Sequence, residues 1–153
     1  MRAFFIFFLS CAIALFAGLS IAQGAEPIIQ VQDAWARQAP MMPPMGHMHA
    51  AGGNGAVYVK LRNTGQVAEV IIGASSDAAE SVELHETTME GNVMRMRPVT
   101  KLEVPAGGVL EMKPGGLHIM LINLKHDLHP GERIHLTLTF ERGAPMSLEV
   151  PVR

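Results

Sequence analysis

The chain has 153 residues and a formal net charge of −2, with 17% charged residues. This near-neutral balance gives no indication of a nucleic-acid partner, and the length suits one domain rather than two. With only 1 cysteine a disulfide framework is excluded. The unusual feature is the presence of 7 His and 11 Met beside 1 Trp and 1 Tyr, so any metal chemistry is expected to use His and Met.

The N-terminal segment has the pattern of a secretory signal peptide. Arg2 precedes an apolar run that ends near Ile21, and small residues follow until the first acidic residue, Glu26. We expect a leader at residues 1–25, cleaved after Gly24 or Ala25. An uncleaved membrane anchor is the alternative, because about 20 apolar residues can span a bilayer.

The single cysteine, Cys11, lies inside this apolar run. The preceding residues Phe8-Leu9-Ser10 fit a lipidation signal poorly, so a lipid anchor is not the favoured interpretation. The predicted mature domain, residues 26–153, therefore has no thiol and no stable membrane insertion.

The mature chain has the pattern of seven to nine short β-strands separated by turn signals, with no convincing helical period. The segments are 28–36, 55–61, 67–74, 81–86, 93–98, 109–112, 117–123, 133–140 and 146–152. Such a series predicts an all-β fold, a single antiparallel β-sandwich or barrel.

Four residues in the second half of the chain have the spacing H-x10-M-x21-H-x-M. They are His85, Met96, His118 and Met120. Two imidazoles and two thioethers form a neutral, soft donor set that favours copper(I) over zinc or calcium. A single methionine more often fills a gap in a core, so only the combination of all four residues indicates a metal site.

Local geometry brings these residues into pairs. If the hairpin loop is Glu90-Gly91, His85 and Met96 are directly opposed, and if it is Gly91-Asn92 they are diagonal neighbours. His118 and Met120 lie two apart on one strand and so share a face. Whether the two pairs meet is left open by this reasoning.

The remaining methionines and charges have simpler interpretations. Met89, Met112 and Met146 are expected to be packing residues, and Met94 a contact beside Met96. The charged residues near the motif, Glu86, Arg95 and Arg97, are expected to be solvated.

The motif also limits the function class. No Ser/His/Asp or Cys/His arrangement indicates an enzyme, and a blue-copper electron carrier would ordinarily need a cysteine ligand. A copper chaperone and a copper-sequestering or resistance protein both fit.

With VELHE around His85, MRMRPV around Met96 and PGGLHIMLINL around His118, the chain closely resembles the PCu(A)C-type periplasmic copper chaperones. The resemblance extends over nearly all the mature chain, from DAWAR through NTG to LTLTF. It implies a cupredoxin-like β-sandwich that binds copper(I) through His85, Met96, His118 and Met120. It also implies delivery toward cytochrome c oxidase assembly, with an oxidase subunit or another copper chaperone as the accepting protein.

A Met/His-rich loop at 41–49 departs from the plainer family pattern. Its candidate ligands are Met41, Met42, Met45, His47, Met48 and His49. It is either an exposed insertion or a secondary copper site, with copper(II) held through His47 and His49. Such a loop suits sequestration as well as delivery.

Overall fold

The computed structural model describes residues 28–39 and 53–153. The predicted leader at 1–25 and the Met/His-rich segment 41–49 lie outside the described residues. Within the described part are ten strands: β1 Ile29–Ala36, β2 Gly55–Asn63, β3 Glu69–Ser76, β4 Ala79–Glu90, β5 Val93–Pro98, β6 Leu102–Val104, β7 Val109–Glu111, β8 Leu117–Leu124, β9 Arg133–Phe140 and β10 Met146–Pro151.

The strands form two packed sheets, which confirms the predicted antiparallel β-sandwich. One sheet has six strands in the order β1-β2-β8-β4-β5, with β7 also paired to β2, and the other has the order β10-β9-β3-β6. All pairings between these strands are antiparallel. The predicted number of strands was too low by one, because β6 is only three residues long, too short for its alternation to be recognised as a strand.

Alternation of side chains places aliphatic residues between the sheets. In β2 the inward residues Val57, Val59 and Leu61 are at most 1% exposed, and in β8 Ile119 and Leu121 are fully buried. The odd-numbered residues of β2 and β8 thus face the core, so the even-numbered ones lie on the outer face of the six-stranded sheet.

A buried asparagine closes the end of β2. The side chain of Asn63 is fully buried, and its amide nitrogen donates to the carbonyl oxygens of Val67 and Val104 at 2.8 and 3.1 Å. Its side-chain oxygen accepts a hydrogen bond from the Gly65 amide at 2.8 Å. This one residue therefore connects the β2 turn to strand β6 of the other sheet.

The β4–β5 hairpin takes the second of the two predicted registers. Glu90 pairs with Val93, so the two loop residues are Gly91 and Asn92. Gly91 has a φ of 65°, and a positive φ at the first loop position is what a type II′ hairpin turn requires. His85 is consequently opposite Pro98 and diagonal to Met96.

Candidate metal centre

Two imidazoles lie side by side on the outer face of the six-stranded sheet. His85 on β4 is the direct cross-strand partner of His118 on β8, and their ring centroids are 5.7 Å apart. His118 is only 3% exposed, although it lies on the face turned away from the core. The pairing of β4 with β8 thus supplies the meeting of the two histidines that sequence reasoning left open.

The ring of His118 is oriented by the turn that precedes β8. Its Nδ1 lies 3.0 Å from the carbonyl oxygen of Gly116. Because a carbonyl can only accept, Nδ1 carries the proton and Nε2 keeps its lone pair in the neutral ring. The same carbonyl accepts the Thr87 amide at 3.1 Å, which ties the turn to β4.

The ring of His85 is oriented by a carboxylate on its own strand. Its Nε2 lies 2.9 Å from an oxygen of Glu83, two residues earlier on the same face. When Nε2 donates to this carboxylate, Nδ1 of the neutral ring is an acceptor, and it is buried without a hydrogen-bond partner. A buried acceptor of this kind costs about 1–3 kcal/mol unless something binds it, which suits a metal-binding nitrogen.

The two thioethers flank the imidazole pair from opposite directions. Met96 is opposite Thr87, one same-face position from His85 toward the hairpin turn, and is 51% exposed. Met120 is opposite Glu83, one same-face position the other way. A cleft of about 400 Å³ on this face is lined by both methionines and by His118.

An aromatic row continues from the imidazoles across the sheet. Tyr58 on β2 has its ring centroid 6.4 Å from that of His118, and Trp35 on β1 lies 4.6 Å from Tyr58. Tyr58 is 6% exposed, so little water reaches its ring next to His118.

Sequence reasoning missed the residues that orient the two rings. Glu83 could have been found, because alternation places it on the face of His85 only two residues away. Gly116 acts through its backbone oxygen, and no residue type in a sequence signals that role. Hydrogen bonds of this kind fix the tautomer and orientation of histidines that bind metals.

The charged residues that were expected to be solvated form ion pairs on the face of the β4–β5 hairpin opposite His85 and Met96. Arg95 lies 2.7 Å from Glu90, and Arg97 lies 3.3 Å from Glu86.

The other methionines divide between core and surface. Met112 is 3% exposed and Met146 packs against the core, as expected. The packing interpretation of Met89 was wrong, since it is 61% exposed where the hairpin extends into solvent.

In residues 28–39 and 53–153 there is no group of three or more His, Cys, Asp or Glu side chains that could hold a metal ion. The same residues include no helix with the length and hydrophobicity of a membrane span.

Comparison with protein families gives a match over most of the chain. Residues 29–152 match the model of the family described as "Putative lipoprotein LpqE-like". The chain belongs to the LpqE-like family. A relative from Leifsonia xyli subsp. xyli (strain CTCB07), named "Putative lipoprotein Lxx21020", is 33% identical over 144 residues, which cover 94% of this chain and 80% of that protein. Protein RP573 of Rickettsia prowazekii (strain Madrid E) is 29% identical over 129 residues, covering 84% and 68% of the two chains.

Solved structures share the fold of this LpqE-like chain. The copper-bound PCuAC domain from PmoF2 superposes with a TM-score of 0.63 at 21% identity, covering 85% of this chain and 96% of that one. The solution structure of CuI-DR1885 from Deinococcus radiodurans superposes with a TM-score of 0.57 at 29% identity, covering 80% and 78%. These likenesses confirm the fold that the resemblance to PCu(A)C proteins implied.

Proposed function

We propose that this LpqE-like protein binds one copper(I) ion through His85, Met96, His118 and Met120 and passes it to an accepting protein. The observation that carries the proposal is the direct opposition of His85 and His118, each ring oriented by a hydrogen bond to one nitrogen, with Nδ1 of His85 buried without a partner. Two relatives in fold are described as a copper-bound PCuAC domain and CuI-DR1885, which supports copper as the ion.

The donor set explains the choice of oxidation state. Thioether sulfur and neutral imidazole are soft or borderline ligands that add no negative charge, and soft thioethers select copper(I). These groups form no disulfides, so the site remains competent in an oxidising compartment where thiols would not. Copper is the ion that the protein transports, and the four side chains bind it until it is passed on.

Unequal exposure of the ligands suits transfer. Met96 is half exposed and His118 is nearly fully buried. An acceptor that supplies its own soft ligand can replace the Met96 sulfur first, while the buried imidazole still holds the ion. Copper can then move by stepwise exchange of ligands without being released into water.

The proposed destination is cytochrome c oxidase copper-centre assembly, and the proposed location is the periplasm. Deletion of the gene is expected to reduce oxidase activity, with recovery when copper is added to the medium. Normal oxidase activity together with copper hypersensitivity would instead identify the protein as a sequestration or resistance protein.

Export through a cleaved leader is a separate proposal. The family is described by a lipoprotein name, which fits an exported protein. We expect the mature protein to begin at Ala25 or Glu26, which intact-mass measurement on the purified protein can determine. A lipid-modified chain that begins at Cys11 would contradict the expectation.

A further inference from the structure

Three exposed methionines lie on one face of the β4–β5 hairpin. Met89 is 61% exposed, Met94 64% and Met96 51%. Met89 and Met94 are direct cross-strand partners, and Met96 is the next residue on that face of β5. We call Met89, Met94 and Met96 the methionine stripe.

Register puts the three sulfur atoms within reach of one another. Directly opposed residues have Cβ atoms about 4.5–5.5 Å apart, and diagonal neighbours are separated by about 7–8 Å, within reach of long side chains. Met96 is diagonal both to Met89 and to His85. The stripe therefore begins at the hairpin turn and ends at the proposed copper site, with Met96 common to both.

Packing does not account for the stripe. Every residue of β5 is exposed, so neither face of this strand rests on the core. The opposite face carries two ion pairs, Arg95 with Glu90 and Arg97 with Glu86, as expected for a solvated surface. The alternation Met94-Arg95-Met96-Arg97 thus gives the strand one charged face and one thioether face, both in water.

We propose that Met89, Met94 and Met96 form a second, weaker copper(I) site through which copper enters and leaves the principal site. This inference rests on the proposed function, because Met96 is a ligand in both. Three thioethers and no anionic ligand form a soft set that selects a monovalent soft cation. Met94 also lines the cleft with His118 and Met96, so this cleft contains residues of both proposed sites.

Transfer along the stripe is an exchange of dative bonds. A copper(I) ion held by Met89, Met94 and Met96 keeps its bond to the Met96 sulfur. Bonds to His85, His118 and Met120 then form as those to Met89 and Met94 break. The ion remains copper(I), and no electron or covalent bond is transferred.

Titration of the mature protein with silver(I), a redox-inert soft monovalent cation, tests the proposal. The readout is the assigned NMR signals of the methionine ε-methyl groups. Met96 and Met120 are expected to shift during the first equivalent, and Met89, Met94 and, for a second time, Met96 are expected to shift as more silver(I) is added. In the M89L/M94L variant the second event at Met96 is lost, whereas the first remains.

A variant with the same number of sulfur atoms removed provides the control. In M112L/M146L the two leucines replace methionines in or against the core, a nearly volume-conserving change, and both silver events should persist. Copper(I) transfer from the loaded protein to a chelator should slow severalfold in M89L/M94L and stay unchanged in M112L/M146L.

The outcomes separate this inference from the proposed function. Met89 and Met94 signals that stay unmoved up to saturation with silver(I), with Met96 and Met120 responding to the first equivalent, would overturn the stripe and leave the principal site intact. Shifts at Met89 and Met94 with Met120 unmoved throughout the titration would support the stripe and refute the principal site. An unchanged rate of copper(I) transfer in M89L/M94L would show that copper does not leave the principal site through the methionine stripe.

Discussion

His85 and His118 are direct partners across two neighbouring antiparallel strands, with ring centroids 5.7 Å apart. Each ring is oriented by a different hydrogen-bond acceptor, the Glu83 carboxylate for His85 and the Gly116 carbonyl for His118. This histidine pair is therefore brought together by long-range strand pairing and oriented by local hydrogen bonds, and the two contributions can be tested separately.

Removing the carboxylate beside His85 should weaken copper(I) binding. Without Glu83 the ring loses the acceptor that fixes its tautomer, and loss of such a partner typically lowers metal affinity about 10–100-fold. We expect Glu83→Ala to lower copper(I) affinity by this factor in competition with a chromophoric chelator. Glu86→Ala is the matched control, since Glu86 pairs with Arg97 on the other face and its loss should leave the affinity unchanged.

Copper(I) affinity should fall as the pH is lowered from about 7 to about 5, because imidazole binds metal only in its neutral form. Protonation removes the nitrogen lone pair, so protons and copper compete for the same atoms. Thioethers do not titrate, and so the slope should disappear in the His85→Ala, His118→Ala double variant. A flat profile for the unaltered protein would remove both histidines from the site.

Replacing the buried Asn63 should destabilise the fold. Asn63→Ala leaves the carbonyl oxygens of Val67 and Val104 without the side-chain donor that now reaches both. We expect a loss of roughly 1–3 kcal/mol in the free energy of unfolding, measured by urea denaturation. Thr64→Ala is a control in the same turn, since its hydroxyl bonds the Ile28 carbonyl at an exposed position and its loss should cost far less.

The sequence allowed most of the fold to be predicted, because the alternation that defines a half-buried strand is local. It also placed His85 near Met96 and His118 near Met120, since a short hairpin and a two-residue step are local geometry. The pairing of β4 with β8 could not be predicted this way, because partners such as His85 and His118 are far apart in the chain. Neither could Gly116, whose role rests on a backbone carbonyl.

The solvent exposure of individual side chains also could not be predicted from the local sequence pattern. Met89 has the residue type of a core gap-filler, yet the hairpin carries it beyond the packed sheets. Conversely, His118 and Tyr58 lie on the outer face of a sheet and are nearly buried. Which outward residues are covered depends on the whole surface around them.

The Met/His-rich segment stays a prediction, because residues 41–49 lie outside the described part of the chain. If the segment holds a second ion, the His47→Ala, His49→Ala variant should bind less copper(II) per protein than the unaltered chain, measured by metal titration and elemental analysis. Unchanged stoichiometry for copper(I) and copper(II) would defeat that prediction.

X-ray absorption at the copper edge directly measures the ligand shell of the proposed copper(I) site. The mature protein would be loaded with less than one equivalent of copper(I), so that the tighter site fills first. We expect a copper(I) edge and a ligand shell of two imidazole nitrogens and two sulfurs, with the sulfur contribution halved in the Met120→Leu variant. A shell of nitrogen and oxygen only, or a sulfur contribution unchanged in that variant, would contradict it.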